Sequence, residues 1–211
     1  MLKYSLGDYE DPDRGKIIAQ LQVDICELAD DIVDAIELRK LHFEKTNTQS
    51  INLKSELLVE GLVFDDERSK ALVDLFRSVW LNGRLKAEDR RELIVFIENK
   101  NIELTARMMV VSALMLKGLR MYDRSVLMIY IALLDTVDAR LKARIMVGLL
   151  MILSVHGNKI KRDEEMSAEM EKLFVDERFS ADVDKAYKHI INTFGTDKVT
   201  EKIKTEIYPE I

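Results

Sequence analysis

The sequence predicts an all-α protein, and three observations carry that expectation. Eight glycines and two prolines fill only 10 of 211 positions, about 5% where ordinary usage is about 12%. The prolines are Pro12 and Pro209, so the 196 residues between them contain none. Apolar residues make up 47% of the chain and recur at spacings of three and four, the period of a helix face. Sheet-rich folds need frequent turns built on Gly and Pro, which argues against sandwiches, barrels and doubly wound folds. The apolar fraction argues equally against collagen-like and disordered chains.

The elements follow in order. Asp11 and Pro12 read as an N-cap with proline at the first helical position. Ile17, Leu21, Ile25, Leu28, Ile32 and Ile36 then fall on one face of a long helix ending near Glu44, with Asp24, Glu27, Asp31 and Asp34 on its solvated side. Thr46 to Ser50 form a polar turn before a shorter helix carrying Leu53, Leu57 and Leu58. Asp65 or Asp66 caps a third helix whose stripe is Leu72, Leu75, Phe76 and Val79, with Trp80 in the core and Gly83 as its stop.

From Ala87 the chain repeats with a period of 37 residues: Thr105 to Leu116 aligns without gaps on Lys142 to Leu153. The preceding helices match too, Ile94, Phe96 and Ile97 falling on Ile131, Leu133 and Leu134. Each unit is then a helical hairpin with two apolar faces, which buries its second face only by stacking on the next, as in a solenoid. Further on, a charged helix from Lys159 to Phe174 precedes one capped by Ser180 that runs to Phe194, and Thr196 caps a last one. The expected total is about nine or ten helices. They fall into an N-terminal helical region (1–83), two hairpins (84–156) and a tail (157–211). That tail reads either as the polar-faced unit closing a repeat array or as the start of further repeats in a longer protein.

In this central stretch the residues resemble the HEAT-like branch of the α-α superhelical repeat proteins. In that pattern a turn acid precedes, by six positions, an arginine near the start of the hairpin's second helix. Asp138 and Arg144 match it, and Asn101 and Arg107 match with the acid replaced by its amide. The chain also resembles bacterial proteins in which HEAT-like units adjoin tetratricopeptide-type repeats. The likeness covers about residues 66 to 156. It implies a right-handed α-α superhelix of stacked antiparallel hairpins. In it Asn101, Arg107, Asp138 and Arg144 form a structural ladder, the turn residue capping a helix while the arginine reaches sideways to a neighbouring unit. The activity implied is that of a protein-interaction module or scaffold without catalysis.

Charge and motifs narrow the chemistry. Residues 1–83 hold 10 basic and 17 acidic side chains, residues 84–156 hold 12 and 8, and residues 157–211 hold 10 and 13. Arg84, Arg90 and Arg140 of the basic middle are the candidate contacts to an acidic partner. With Arg107 and Arg144 they would make the concave strip of a nucleic-acid clamp, the alternative reading, against which stands the net charge of −6. Asp30, Asp31 and Asp34 resemble the aspartate-rich motif with which all-helical isoprenoid synthases hold magnesium. No second such motif faces it, which leaves a magnesium-dependent enzyme as the remotest reading. His42, His156 and His189 have no metal-ligand spacing, and no phosphate loop is present. Neither metal nor cofactor is therefore expected. Gly118 and Gly148 are assigned to close helix contacts. Cys26 reads as an inert, semi-buried thiol, and the methionines of the repeats as core. One cysteine, an acidic N-terminus and no apolar run of about 20 residues predict a cytoplasmic protein that does not insert into membranes.

Overall fold

A computed structural model describes residues 13–40, 51, 58–59, 66–136 and 138–188. The Asp11–Pro12 cap, the turn at 46–50, Leu53, Leu57, Asp65, His42, His189 and the helix capped by Thr196 lie outside those residues. The elements are α1 (Arg14–Lys40), α2 (Asp66–Leu81), α3 (Ala87–Glu98), α4 (Leu104–Arg120), α5 (Arg124–Ala132), α6 (Ala139–Ile160) and α7 (Glu164–Val175). A helical stretch at 177–188, here α8, follows. Among the described residues an isolated antiparallel bridge pairs Val59 with Ile102, and Asn82 also stands in a bridge position.

Two compact units are formed, Met1–Lys45 and Thr46–Ile211. In the first, α1 departs in part from the expectation that its acids are solvated, which holds for the exposed Asp24, and from the expectation that its apolar stripe is covered. Asp34 is buried and Asp31 half-buried, whereas Ile17, Leu21, Ile25, Leu28, Ile32 and Ile36 are all exposed. Periodicity defines an apolar face but not its cover, and α1 is the sole described helix of its unit. Cys26 is likewise exposed rather than semi-buried.

Three helix starts in the second unit follow from aspartate caps. Asp123 accepts from the Ser125 amide, Asp138 from those of Arg140 and Leu141, and Asp163 from that of Met166. Each satisfies N–H groups that a first turn leaves without a helical partner. Two boundaries differ from the expected ones. The charged helix begins at Glu164, because α6 runs on to Ile160 and Asp163 caps α7. Ser180 lies inside α8, whose first turn is instead closed by Asp176: its side chain accepts from the Arg178 amide and its carbonyl from Ser180.

The packing is layered. Helix α4 lies along α2 and also along α6, while α3 packs on α5. Leu75 and Val79 of α2, Leu93 and Ile97 of α3, Val110 and Leu114 of α4, Leu127 of α5, and Ile145 and Leu149 of α6 are buried in one core. Each such side chain contributes about 1.5–3 kcal/mol when fully withdrawn from water.

Two glycines allow the closest approaches. A Cβ on Gly118 would meet Ile152 Cγ1 at 3.0 Å, and one on Gly148 would lie 2.8 Å from both Cε1 and Oη of Tyr130. The Tyr130 ring is buried and its hydroxyl donates to the Val111 carbonyl at 2.8 Å, so it has nowhere to swing. Gly148→Ala is therefore expected to destabilise: overpacking costs about 1–3 kcal/mol, against about 1 kcal/mol regained from helix propensity. Thermal melting reads this directly, and a rise in melting temperature would show that α5 and α6 do not touch there.

Candidate functional site

The turns between helices carry the polar chemistry of the second unit. At the first junction, Lys117 is fully buried near the end of α4, and its Nζ donates to the Asn82 carbonyl at 2.7 Å and to that of Gly83. Asp123 Oδ2 lies 3.8 Å from the same Nζ and accepts from the Leu85 amide at 3.0 Å. Arg84 donates to the Tyr122 carbonyl, Ser125 Oγ to that of Leu85, and Arg120 to that of Trp80. Each bond joins residues 34 to 40 apart in sequence.

A second junction joins the α4–α5 turn to the α6–α7 turn. Asp163 Oδ2 accepts from the Tyr122 hydroxyl at 2.7 Å and from Arg124 Nε at 2.9 Å. Arg124 NH1 reaches Glu165, and His156 Nε2 faces the Gly118 carbonyl at 2.8 Å, an acceptor that selects the tautomer protonated on Nε2. Here too the capping aspartate of one helix is the acceptor for the preceding turn. Burial, and then the bond to Asp163, push the Tyr122 phenol far above its ordinary range; burial does the same to Tyr130, the Arg144 charge opposing it. For Arg124, burial works against the charge, but the Asp163 carboxylate prevails and raises its pKa.

These two phenols make stability fall in alkali. A phenol whose pKa is higher folded than unfolded adds stability that is complete below the unfolded value and is lost as pH rises past it. Above pH ~10 each is expected to lower the unfolding free energy by about 1.4 kcal/mol per pH unit. Urea titrations on either side of that pH, run with Tyr130→Phe for comparison, check it: the variant loses its share of the slope. Equal slopes would place Tyr130 in contact with water.

The residues expected to form a ladder occupy distinct settings. Arg107 is buried and donates to the Ile102 and Ile97 carbonyls, in the α3–α4 turn and in α3. Arg144 is exposed and donates to Ser112 Oγ on the neighbouring helix α4. Asp138 caps α6, and Asn101 is exposed with its amide bonded to Asn99 Oδ1. Arg84, Arg90 and Arg140 lie on three different elements: Arg84 in the α2–α3 turn, Arg90 half-buried on α3, Arg140 exposed in the first turn of α6. Asp30, Asp31 and Asp34 share α1, and among the described residues no three metal-ligand side chains converge. No helix of the described residues is long and apolar enough to cross a membrane.

The same layer presents an uncharged exposed strip. From Met108 to Leu119 the only charged side chain is the buried Lys117, and from Ile145 to Val155 there is none. Leu116, Met151 and Val155 are exposed, Met109, Met115 and Val147 half-buried, and the Arg144–Ser112 bond lies between the two helices. Met121 and Met146 are core, so the methionines divide between interior and surface. Lys117 carried a sequence signal: with Val110, Leu114 and Met121 it falls on one apolar stripe at spacings of four, three and four. Comparison with protein-family models, with curated proteins and with solved structures finds no match to this chain.

Proposed function

We propose that this chain is a non-catalytic protein-interaction module, an α-α superhelix of stacked hairpins that displays the exposed side of α4 and α6 to a protein partner. The observation that carries the reading is the uncharged strip across those helices, with Arg140 and Arg144 exposed at the start of α6. Buried cationic groups meanwhile serve packing: Lys117 and Arg107 donate to backbone carbonyls inside the fold. A partner segment with apolar side chains and an acidic end matches such a surface. Thioether side chains adapt to its contour. Clamping nucleic acid is less well supported, since Arg84 and Arg107 of the basic strip are committed to carbonyls and a phosphate backbone is held by many exposed cations.

Proximity labelling in the native cell, comparing the wild-type chain with Met151→Glu/Val155→Glu, tests the proposal. The variant is expected to keep its helical circular dichroism and to lose a discrete set of labelled proteins. An unchanged set would refute the assignment of this face. Retention on DNA that falls steeply with salt would favour the nucleic-acid reading instead.

A further inference from the structure

We infer that α1 is a dimerisation helix, pairing in parallel with α1 of a second copy of this chain. Ile18, Leu21, Ile25, Leu28 and Ile32 recur at spacings of three and four, and each is between 46% and 65% exposed. In heptad terms Ile occupies every a position and Leu every d position of that run, the combination that favours two parallel strands. The exposed Ala35 continues the seam at the next d position. Adding Ile17 and Ile36 puts seven bare side chains within an arc of about 100° on a helix about 40 Å long. Their exposed surface is on the order of 750 Å² per chain, close to the ~800 Å² that each partner contributes to a standard interface.

Charge selects both the partner and the direction. Between residues 17 and 38 the helix has six carboxylates and no basic side chain, so an anionic lipid surface repels it. In a parallel pair each g position faces the e position five residues on in the second copy. Asp24 then faces Ala29 and Asp31 faces Ile36, and no like charges meet. An antiparallel pair centred on the same seam sets Asp24 against Asp31, which is repulsive. This surface belongs to α1 alone and does not depend on the reading of the α4–α6 strip.

Sedimentation of the full chain tests the inference. The wild type is expected to sediment at twice the chain mass, and Leu21→Asp/Leu28→Asp at the monomer mass with its melting of α2–α7 unchanged. Because Cys26 is the one cysteine of the chain, Ile18→Cys in a Cys26→Ser background reports direction: in parallel register it is expected to form a disulfide-linked dimer on mild oxidation. A wild-type monomer, a trimer, a dimer that survives the double aspartate variant, or a dimer in which Ile18→Cys does not cross-link would each overturn it.

Discussion

Replacing Lys117 by methionine is expected to lower the free energy of unfolding by about 3–5 kcal/mol, the range for removing one partner of a buried charge pair. Methionine fills similar space, so the loss is electrostatic. The Asn82 and Gly83 carbonyls lose Nζ as a donor, and the Asp123 carboxylate loses the cation 3.8 Å away. A buried acceptor without a donor bears its full desolvation penalty. Lys117→Arg is not expected to restore stability, because the lysine has no exposed surface and the planar guanidinium needs more room. Urea denaturation measures both variants. A loss below about 1 kcal/mol, the worth of a surface ion pair, would mean that water reaches this ammonium.

Asp163→Ala is expected to remove about 3 kcal/mol. The N-cap of α7 contributes about 0.5–2 kcal/mol. The buried Tyr122 hydroxyl, left without its acceptor, adds about 1–3 kcal/mol. Arg124 is half-exposed and turns to solvent, so its loss is small. Asp163→Asn keeps an oxygen for the cap while surrendering the charge, and is expected to fall between wild type and alanine. The Tyr122 phenol then titrates closer to its ordinary value, since part of what raises it is the Asp163 carboxylate. Equal stability of the alanine variant and the wild type would detach α7 from the α4–α5 turn.

Which parts of this were legible in the sequence follows from the range of the interactions. The match of Thr105 to Leu116 with Lys142 to Leu153 marks α4 and α6, which do lie side by side, because helix faces are written in local spacing. The junction aspartates follow a longer step. Asp123 and Asp163 stand 40 residues apart, not 37, because α6 runs three residues beyond the point equivalent to the end of α4. Local pattern does not reveal that Lys117 finds its acceptors 34 and 35 residues away, since this depends on how α4 settles against the α2–α3 turn. Asp176 and Ser180 are both good caps. The choice falls on Asp176 because Phe179, lying between them, is buried edge-on against Phe174 and its turn must already be helical. For α1 the pattern defined the stripe correctly and left its cover undetermined.

The layered arrangement of α2, α4 and α6 is the claim on which the display surface rests, and pulsed electron-spin distances test it most directly. Spin labels at Val73, Leu116 and Met151, taken in pairs in a Cys26→Ser background, sit on exposed positions of the three helices. Neighbouring helix axes lie about 8–10 Å apart, so the account predicts an α2–α6 separation close to the combined α2–α4 and α4–α6 separations. Three similar distances, as in a closed bundle where α2 and α6 also touch, would contradict it.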